Sequence, residues 1–265
     1  MMSLPKPVHL GPQYAAQFQD AAVVAAYPTR PPYPAAVFET LATLMVEPRV
    51  ALDAGCGTGD IARRLAPYAQ RVDAIDLSLR MVATGRSMTG GDAPNLLWQV
   101  AALEDAPLSG PYGLAVTGES LHWMDWERVM PRLRDALAPG ASLVIVERVE
   151  EPSPWTAQLF QLIHHYSTNK DFQPYDVVTE LERRDLFALA GTTRTELEPF
   201  SQSVGAYIES IHSRNGFSRD RMRPTDADAF DAAVAALLAP HAPDGLVTLR
   251  IAATLRWGSP LASSN

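Results

Sequence analysis

The sequence predicts an α/β fold built on a doubly wound, mainly parallel sheet, with a late antiparallel strand and a helical cap. Up to Glu147, short apolar segments of strand length alternate with helical segments, which is the order of a parallel sheet with crossover helices. A glycine-rich stretch joins the first predicted strand to the following helix. Beyond Glu147 helical segments dominate, and residues 246–256 alternate as a long strand. This change in the order of predicted helices and strands predicts the cap and the late strand.

Five strands are predicted up to Glu147, at residues 49–53, 71–76, 96–101, 114–117 and 142–147. Ser78 follows the second strand and is expected to cap the next helix. After Glu147, residues 177–190 are predicted to be helical and residues 193–197 to form a strand.

Composition excludes several classes of function. The chain of 265 residues has a formal net charge of −8 and lacks the basic run that nucleic-acid binders use to neutralise phosphates. No stretch approaches the ~20 apolar residues of a membrane span. Its one cysteine, Cys56, cannot form an internal disulfide, and no spacing of residues indicates a metal site. We therefore expect a cytoplasmic protein without a nucleic-acid, membrane or metal partner; composition does not predict an oligomeric state.

The strongest motif is the glycine loop after the first strand. Asp53 ends that strand, and Gly55, Gly57 and Gly59 follow at alternate positions. Glycines allow a sharp turn and a close approach of ligand to backbone, and free N–H groups at the helix start favour an anionic group. Asp76 ends the second strand about 20 residues later, the offset at which a carboxylate takes ribose hydroxyls. The pattern predicts a nucleoside-containing cofactor at the carboxyl ends of the strands.

The glycine spacing distinguishes between nucleoside cofactors. A dinucleotide site has the pattern G-x-G-x-x-G, whereas this loop has G-x-G-x-G preceded by an acid. The loop resembles motif I of class I S-adenosylmethionine-dependent methyltransferases, a Rossmann-like family. Further segments resemble the family's later motifs: residues 75–81, 103–108, 120–125 and 137–140. Residues 26–34 resemble the lead-in of its type-11 group, which includes enzymes like trans-aconitate methyltransferase.

The resemblance implies S-adenosylmethionine as the cofactor and assigns roles by position. The three loop glycines would wrap the methionine moiety, and Asp76 would bind both ribose hydroxyls. Asp53, which precedes the glycines, is also assigned to the cofactor site. The remaining cofactor-binding residues would be Leu77 and Met81 beside adenine, Leu103 and Glu104 at its edge, Gly118 and Glu119 near the sulfonium, and Arg30 near the carboxylate. The sequence departs from the family at Ala102, where an acid often reads the adenine amino group, and at Gly113, where an Asp usually opens the fourth strand.

Methyl transfer from a sulfonium requires mainly alignment of the reactants and exclusion of water. A general base helps only if the acceptor arrives protonated. His122, after the fourth strand, is the candidate catalytic base, and packing beneath the cofactor is an equally weighted alternative. Four arginines between residues 214 and 223 could receive an anionic acceptor, although a solvated face with acidic partners explains them better.

We therefore predict methyl transfer to a small-molecule acceptor, a carboxylate or a hydroxyl. One domain would span residues 1–265, with a cofactor-binding core at 14–147 and cap insertions at 150–191 and 201–243. Two alternatives remain open. A cofactor-binding protein of the same fold could catalyse a non-methyl reaction or serve as a scaffold. A nicotinamide-dependent oxidoreductase is disfavoured because the third glycine of its motif is missing.

Overall fold

The computed structural model describes residues 5–261, and these contain an eight-stranded sheet in the order β3-β2-β1-β4-β5-β8-β6, with β7 also paired to β8. The strands are β1 (Val50–Ala54), β2 (Arg71–Asp76), β3 (Leu96–Val100), β4 (Leu114–Gly118), β5 (Leu143–Glu150), β6 (Phe187–Arg194), β7 (Glu198–Ser203) and β8 (Leu246–Pro260). The α-helices are α1 (Pro12–Ala15), α2 (Ala21–Ala26), α3 (Ala35–Leu44), α4 (Asp60–Leu65), α5 (Leu79–Ser87), α6 (Trp126–Ala136), α7 (Thr156–Tyr166), α8 (Val177–Glu182), α9 (Val204–His212) and α10 (Pro224–Leu238).

Strand direction confirms the predicted fold class. Strands β1 to β5 pair in parallel, whereas β8 runs antiparallel to β5, β6 and β7. Strand β8 is therefore the late antiparallel strand, and it is the longest strand of the sheet. The order 3-2-1-4-5 reverses between β1 and β4, so their carboxyl ends open a crevice of the kind where ligands bind in open α/β sheets.

The segment between residues 177 and 203 differs from the prediction. Helix α8 ends at Glu182 instead of continuing to residue 190, because Asp185 adopts a left-handed conformation with φ of 54°. The amide of Leu186 then donates to the carbonyl of Leu181 at 3.0 Å, which is the helix-ending bond of a Schellman motif. The chain leaves the helix early and forms β6 and β7, where we had predicted a single strand at 193–197.

Apolar side chains cover both faces of the sheet. One face packs against α6 and α8 through residues such as Leu133 and Leu181, and the other packs against α3 and α4 through residues such as Leu41 and Leu65. A third apolar cluster lies among α7, α9, α10 and the first half of β8. Along residues 5–261, no helix has the length and apolarity needed to cross a bilayer.

Candidate active site

Two cavities adjoin at the carboxyl ends of the parallel strands. The first, here the glycine-loop cavity, is lined by residues that include Gly55, Gly57, Asp76, Leu77, Met81, Leu103, Glu104 and Gly118. The second, here the aromatic cavity, measures about 490 Å³ and is lined by residues that include Phe18, Thr117, His122, Trp123, Ile145, Phe172 and Tyr175. Four residues line both cavities: Phe18, Glu119, Ser120 and Trp123. A ligand in the first cavity can therefore reach a ligand in the second.

The glycine loop presents backbone to the first cavity. Gly55 and Gly57 both adopt left-handed conformations, with φ of 71° and 55°. A Cβ on Gly55 would lie 2.6 Å from Cβ of Ser120, and a Cβ on Gly57 would lie 3.4 Å from the ring of Tyr27. Side chains at these positions would strain the backbone and fill the cradle, so the loop has the form that close approach of a ligand requires.

Asp76 fixes the loop from the end of β2. Its Oδ2 atom accepts from the amide of Gly57 at 2.8 Å, and its Oδ1 atom accepts from the amide of Ser78 at 2.7 Å. Burial raises the pKa of this carboxyl, while the two amide bonds act in the opposite direction. Ser78 also accepts from the amide of Met81, which confirms the predicted helix cap. Asp76 thus lines the cavity in a fixed orientation, with acceptor capacity left on both oxygens.

Asp53 and Gly59 support the loop from outside the cavity lining. The buried carboxylate of Asp53 accepts from the amide of Ala62 at 2.9 Å, in the first turn of α4, and burial raises its pKa to about 7. Gly59 precedes α4 with φ of 74°, and a Cβ there would lie 2.4 Å from the ring of Trp98. Both residues shape the turn between β1 and α4.

The far end of the glycine-loop cavity combines apolar and polar groups. Leu77 is 49% exposed, whereas Met81 is fully buried, and both line the cavity with Leu103. Oε1 of Glu104 accepts from the amide of Asp125 at 2.8 Å. Ala102 lines the cavity with no polar side chain of its own, so a carboxylate at this end comes from Glu104 and not from the family's usual position.

Glu119 lies where the two cavities meet. It has φ of 52°, a conformation that non-glycine residues adopt rarely and mostly where function or packing requires it. Its Oε2 atom lies 2.7 Å from Nη1 of Arg148 and 3.9 Å from Nη1 of Arg30. Burial opposes ionisation, but the two guanidinium groups outweigh it and hold the pKa of Glu119 below its usual value. A negative charge is therefore fixed at the junction.

Arg30 lines the aromatic cavity and not the glycine-loop cavity, although we had expected it near the cofactor's carboxylate. It donates to the hydroxyl and the carbonyl of Ser213 at 2.8 and 2.6 Å, and its guanidinium lies 4.2 Å from the ring centre of Tyr27. Arg30 thus fastens the N-terminal segment to the end of α9. Asp20 makes a second such contact by accepting from Arg221 at 2.6 Å.

His122 lines the aromatic cavity, with its ring centre 4.6 Å from that of Trp123 and 5.9 Å from that of Tyr175. Burial lowers its pKa to about 3, so the imidazole is neutral near pH 7. Within residues 5–261, neither ring nitrogen has a hydrogen-bond partner. His122 is thus placed where it can accept a proton from a molecule in this cavity.

Most arginines of the cluster at residues 214–223 do not line the aromatic cavity. Only Arg214 lines the aromatic cavity, 3.9 Å from Glu150. The other three arginines pair with neighbouring acids: Arg219 with Glu209 and Asp231, Arg221 with Asp20, and Arg223 with Asp226. Acidic partners therefore explain most of the cluster.

Sequence reasoning missed the contribution of β5. Glu147, Arg148 and Glu150 end this strand and line the aromatic cavity. The available signal was a run of charges directly after a buried apolar strand, at the sheet edge where Asp76 and Glu119 also lie. Phe18 and Phe172 were also missed, because nothing in their local sequence separates a cavity wall from ordinary packing.

Residues 51–140 match a protein family described as a methyltransferase domain. A solved structure assigned as a type II methyltransferase from Anaeromyxobacter dehalogenans superposes with a TM-score of 0.63 at 24% identity, covering 88% of this chain and 99% of that chain. A structure assigned as a methyltransferase from Bacillus halodurans superposes with a TM-score of 0.53 at 10% identity, covering 85% and 100%. Among curated proteins, none matches the sequence at a significant level.

The matched domain spans the glycine loop, Asp76 and Glu119, and the fold is that of the superposed structures. The chain thus contains a methyltransferase domain, at residues 51–140, within a fold that it shares with the superposed structures. The geometry of the site fits S-adenosylmethionine, because the loop offers a cradle that a Cβ would fill and Asp76 offers a carboxylate held by two backbone amides.

Proposed function

We propose that the protein transfers the methyl group of S-adenosylmethionine to a small molecule held in the aromatic cavity. One observation carries this proposal: the two cavities meet at Glu119 and Ser120. A cofactor in the glycine-loop cavity would direct its reactive end into the aromatic cavity. When bound, it supplies an electrophilic methyl group, and the chain's own residues hold the acceptor in line with it.

The geometry supports a specific set of cofactor contacts. Backbone of Gly55 and Gly57 would hold the methionine moiety, and Asp76 would accept from the ribose hydroxyls. The other proposed contacts lie on the same cavity wall: Leu77, Met81, Leu103, Glu104, Gly118 and Glu119. Asp53 and Gly59 would act through the shape of the turn, and Arg30 would act from the aromatic cavity.

The cap proposal rests on which segments supply the aromatic wall. Residues 150–191 contribute Phe172 and Tyr175, and residues 201–243 contribute Arg214 and Asn215. These side chains line the same cavity as the ends of β4 and β5 and would exclude water from the transferring group. We therefore retain a single domain, with a core at 14–147 and these two segments as its cap.

His122 is the proposed general base for an acceptor that carries a proton on its nucleophile. Its imidazole lines the aromatic cavity, is neutral near pH 7, and has no partner within the described chain. A low pKa makes it a weak base, so it would take the proton only as the new bond to the methyl group forms. The acceptor's oxygen becomes strongly acidic at that point.

Membership of the type-11 group is a finer proposal, supported by the lead-in at residues 26–34. Tyr27 lines the glycine-loop cavity beside Gly57. The hydroxyl of Tyr33 would lie 2.9 Å from a Cβ on Gly118. The lead-in therefore packs directly against the glycine loop and the end of β4, which gives its resemblance a physical basis.

Two measurements test the proposed function. Calorimetry should show binding of S-adenosylhomocysteine and no binding of NAD or NADP. Incubation with cofactor labelled at the methyl group and a panel of small hydroxyl and carboxylate compounds should then yield a labelled product. Binding of a nicotinamide cofactor in place of S-adenosylhomocysteine would refute the assignment. Cofactor binding without transfer to any compound in the panel would favour a non-methyl reaction or a scaffold.

A further inference from the structure

Most charged groups of the aromatic cavity lie beside an opposite charge. Each of the three lining carboxylates has an arginine partner: Glu119 has Arg148, Glu147 has Arg256, and Glu150 has Arg214. The remaining lining arginine, Arg30, donates twice to Ser213. A charged acceptor would therefore compete with these ion pairs, at the cost of leaving a half-buried charge without its partner. The weakest of them joins Glu150 and Arg214, at 3.9 Å and without a hydrogen bond.

Three neutral polar side chains of this cavity make no hydrogen bond within residues 5–261, and Arg148, although paired with Glu119, leaves its Nε atom without a partner. Thr117 is fully buried, and its Oγ1 atom has no hydrogen-bond partner in residues 5–261. Thr117 pairs with Ile145 in the β4–β5 ladder, so their side chains share a face of the sheet, and both line the cavity. The imidazole of His122 and the hydroxyl of Tyr175 also make no hydrogen bond with the described chain.

Aromatic side chains form part of the remaining lining, together with aliphatic ones. The rings of Trp123 and Phe18 lie 5.4 Å apart at an angle of 53°, and both also line the glycine-loop cavity. Tyr175 and Phe172 come from the cap. A buried hydroxyl without a partner is costly, because it has lost water and gained nothing in exchange. Thr117 therefore has an unused hydrogen-bonding group in a cavity that aromatic side chains line in part.

We propose that the acceptor is an uncharged aromatic hydroxyl compound, with its hydroxyl between Thr117 and His122 and its ring between the aromatic side chains. The inference rests on the proposed function and adds the acceptor's class to it. It also replaces the anionic acceptor considered from the arginine cluster. A cavity of about 490 Å³ is in the range that encloses a compact small molecule.

The transfer balances without a further reactant. The bond between the acceptor oxygen and the methyl carbon forms as the carbon–sulfur bond breaks, and that electron pair stays on sulfur. The hydroxyl proton passes to the neutral imidazole of His122 and from there to solvent. The products are an aryl methyl ether and a neutral thioether. Thr117 contacts the acceptor oxygen and sets which face of it meets the methyl group.

A matched series of two-ring probes tests the acceptor class: naphthol, naphthoate, naphthylmethylamine and naphthalene. Each is titrated by calorimetry into the protein saturated with S-adenosylhomocysteine. We expect naphthol to bind most tightly. In Thr117→Val its affinity should fall about three- to tenfold, the effect of one neutral hydrogen bond, while naphthalene should be unaffected. Thr117→Ser keeps a hydroxyl and should retain naphthol binding.

Folding is checked by the same variants. Thr117→Val removes an unpartnered hydroxyl, so its melting temperature should not fall, and its affinity for S-adenosylhomocysteine should match the parent.

Tightest binding of naphthoate, lost in Arg214→Gln, would overturn the inference in favour of an anionic acceptor. Tightest binding of naphthylmethylamine, lost in Glu150→Gln, would overturn it in favour of a cation. Failure of S-adenosylhomocysteine to bind would instead defeat the proposed function itself.

Discussion

The carboxylate of Glu119 lies 2.7 Å from the guanidinium of Arg148, at the place where the glycine-loop cavity and the aromatic cavity meet. Glu119 directly follows β4 in a left-handed conformation, and Arg148 reaches it from the neighbouring β5. The guanidinium of Arg148 also packs 4.1 Å from the ring centre of Tyr33. The pair fixes one ionised carboxylate beside the expected position of a cationic sulfonium.

Glu119→Gln should therefore discriminate between the two forms of the cofactor. Loss of the negative charge should weaken binding of cationic S-adenosylmethionine by roughly three- to tenfold more than binding of neutral S-adenosylhomocysteine, because only the first gains from the nearby charge. Calorimetry with both ligands measures this ratio. Glu104→Gln, at the other end of the same cavity, is the matched control and should affect both ligands equally. Equal losses in both variants would place the sulfonium elsewhere.

Asp76→Ala should reduce cofactor affinity at least tenfold. It removes acceptors for two charge-assisted hydrogen bonds, each contributing ~1.5–3 kcal/mol, and it frees the amides of Gly57 and Ser78. Asp76→Asn keeps the volume and should still weaken binding, since an amide can offer only one oxygen. The exposed Asp92→Asn serves as a control in the same calorimetric titration. An affinity unchanged in Asp76→Asn and Asp76→Ala would exclude the ribose assignment.

Gly57→Val should abolish cofactor binding while the fold persists. The side chain would enter the cradle near Tyr27 and would also carry the ~1–2 kcal/mol cost of a left-handed non-glycine residue. Gly140→Val isolates that backbone cost, because Gly140 has φ of 81° and a Cβ there would have no neighbour within 4 Å. Both variants should lose similar stability in urea, but only Gly57→Val should lose S-adenosylhomocysteine binding. Normal binding by Gly57→Val would reduce the loop to a structural turn.

The lowered pKa of His122 predicts a pH-dependent contribution to stability. Unfolding restores its ordinary pKa of 6.5, whereas the folded value is about 3, so the unfolded chain binds the additional proton between these values. The free energy of unfolding should therefore fall as pH decreases through this window, by up to about 1.4 kcal/mol per pH unit from this group. Urea denaturation from about pH 7 to about pH 4 should show a shallower decline for His122→Gln. Parallel declines in both proteins would contradict a buried neutral imidazole.

The sequence predicted the core of the fold well because its signals there are local. Glycine conformations at Gly55 and Gly57, the acid of Asp76 and the cap of Ser78 each depend on residues within a turn or strand end. Strand alternation then determines the topology of β1 to β5 with little ambiguity. The same signals placed Glu119 and His122 at the edge of the sheet formed by the carboxyl ends of the strands. They did not predict which cavity each residue would line.

The aromatic cavity was less predictable because its walls come from distant parts of the chain. Phe18 lies in the N-terminal segment, Phe172 precedes α8, and Arg214 follows α9, and only the tertiary fold brings them together. The early end of α8 depended on the left-handed conformation of Asp185, which the apolar periodicity did not reveal. The pairing of Arg219 with Glu209 and Asp231 likewise needed a helix packing that sequence spacing could not supply.

Strand β8 constrains how this molecule can open. Its first half, residues 246–251, pairs with β7 and carries the apolar cluster of α7, α9 and α10, while its second half pairs with β5 and β6 in the central sheet. One uninterrupted strand therefore crosses from cap to core. A rigid-body movement of cap against core would have to bend this strand near Ile251, where the ladders with β5 and β7 meet. We therefore expect ligand exchange to depend on local movements of the loops and of the N-terminal segment that Arg30 and Asp20 fasten.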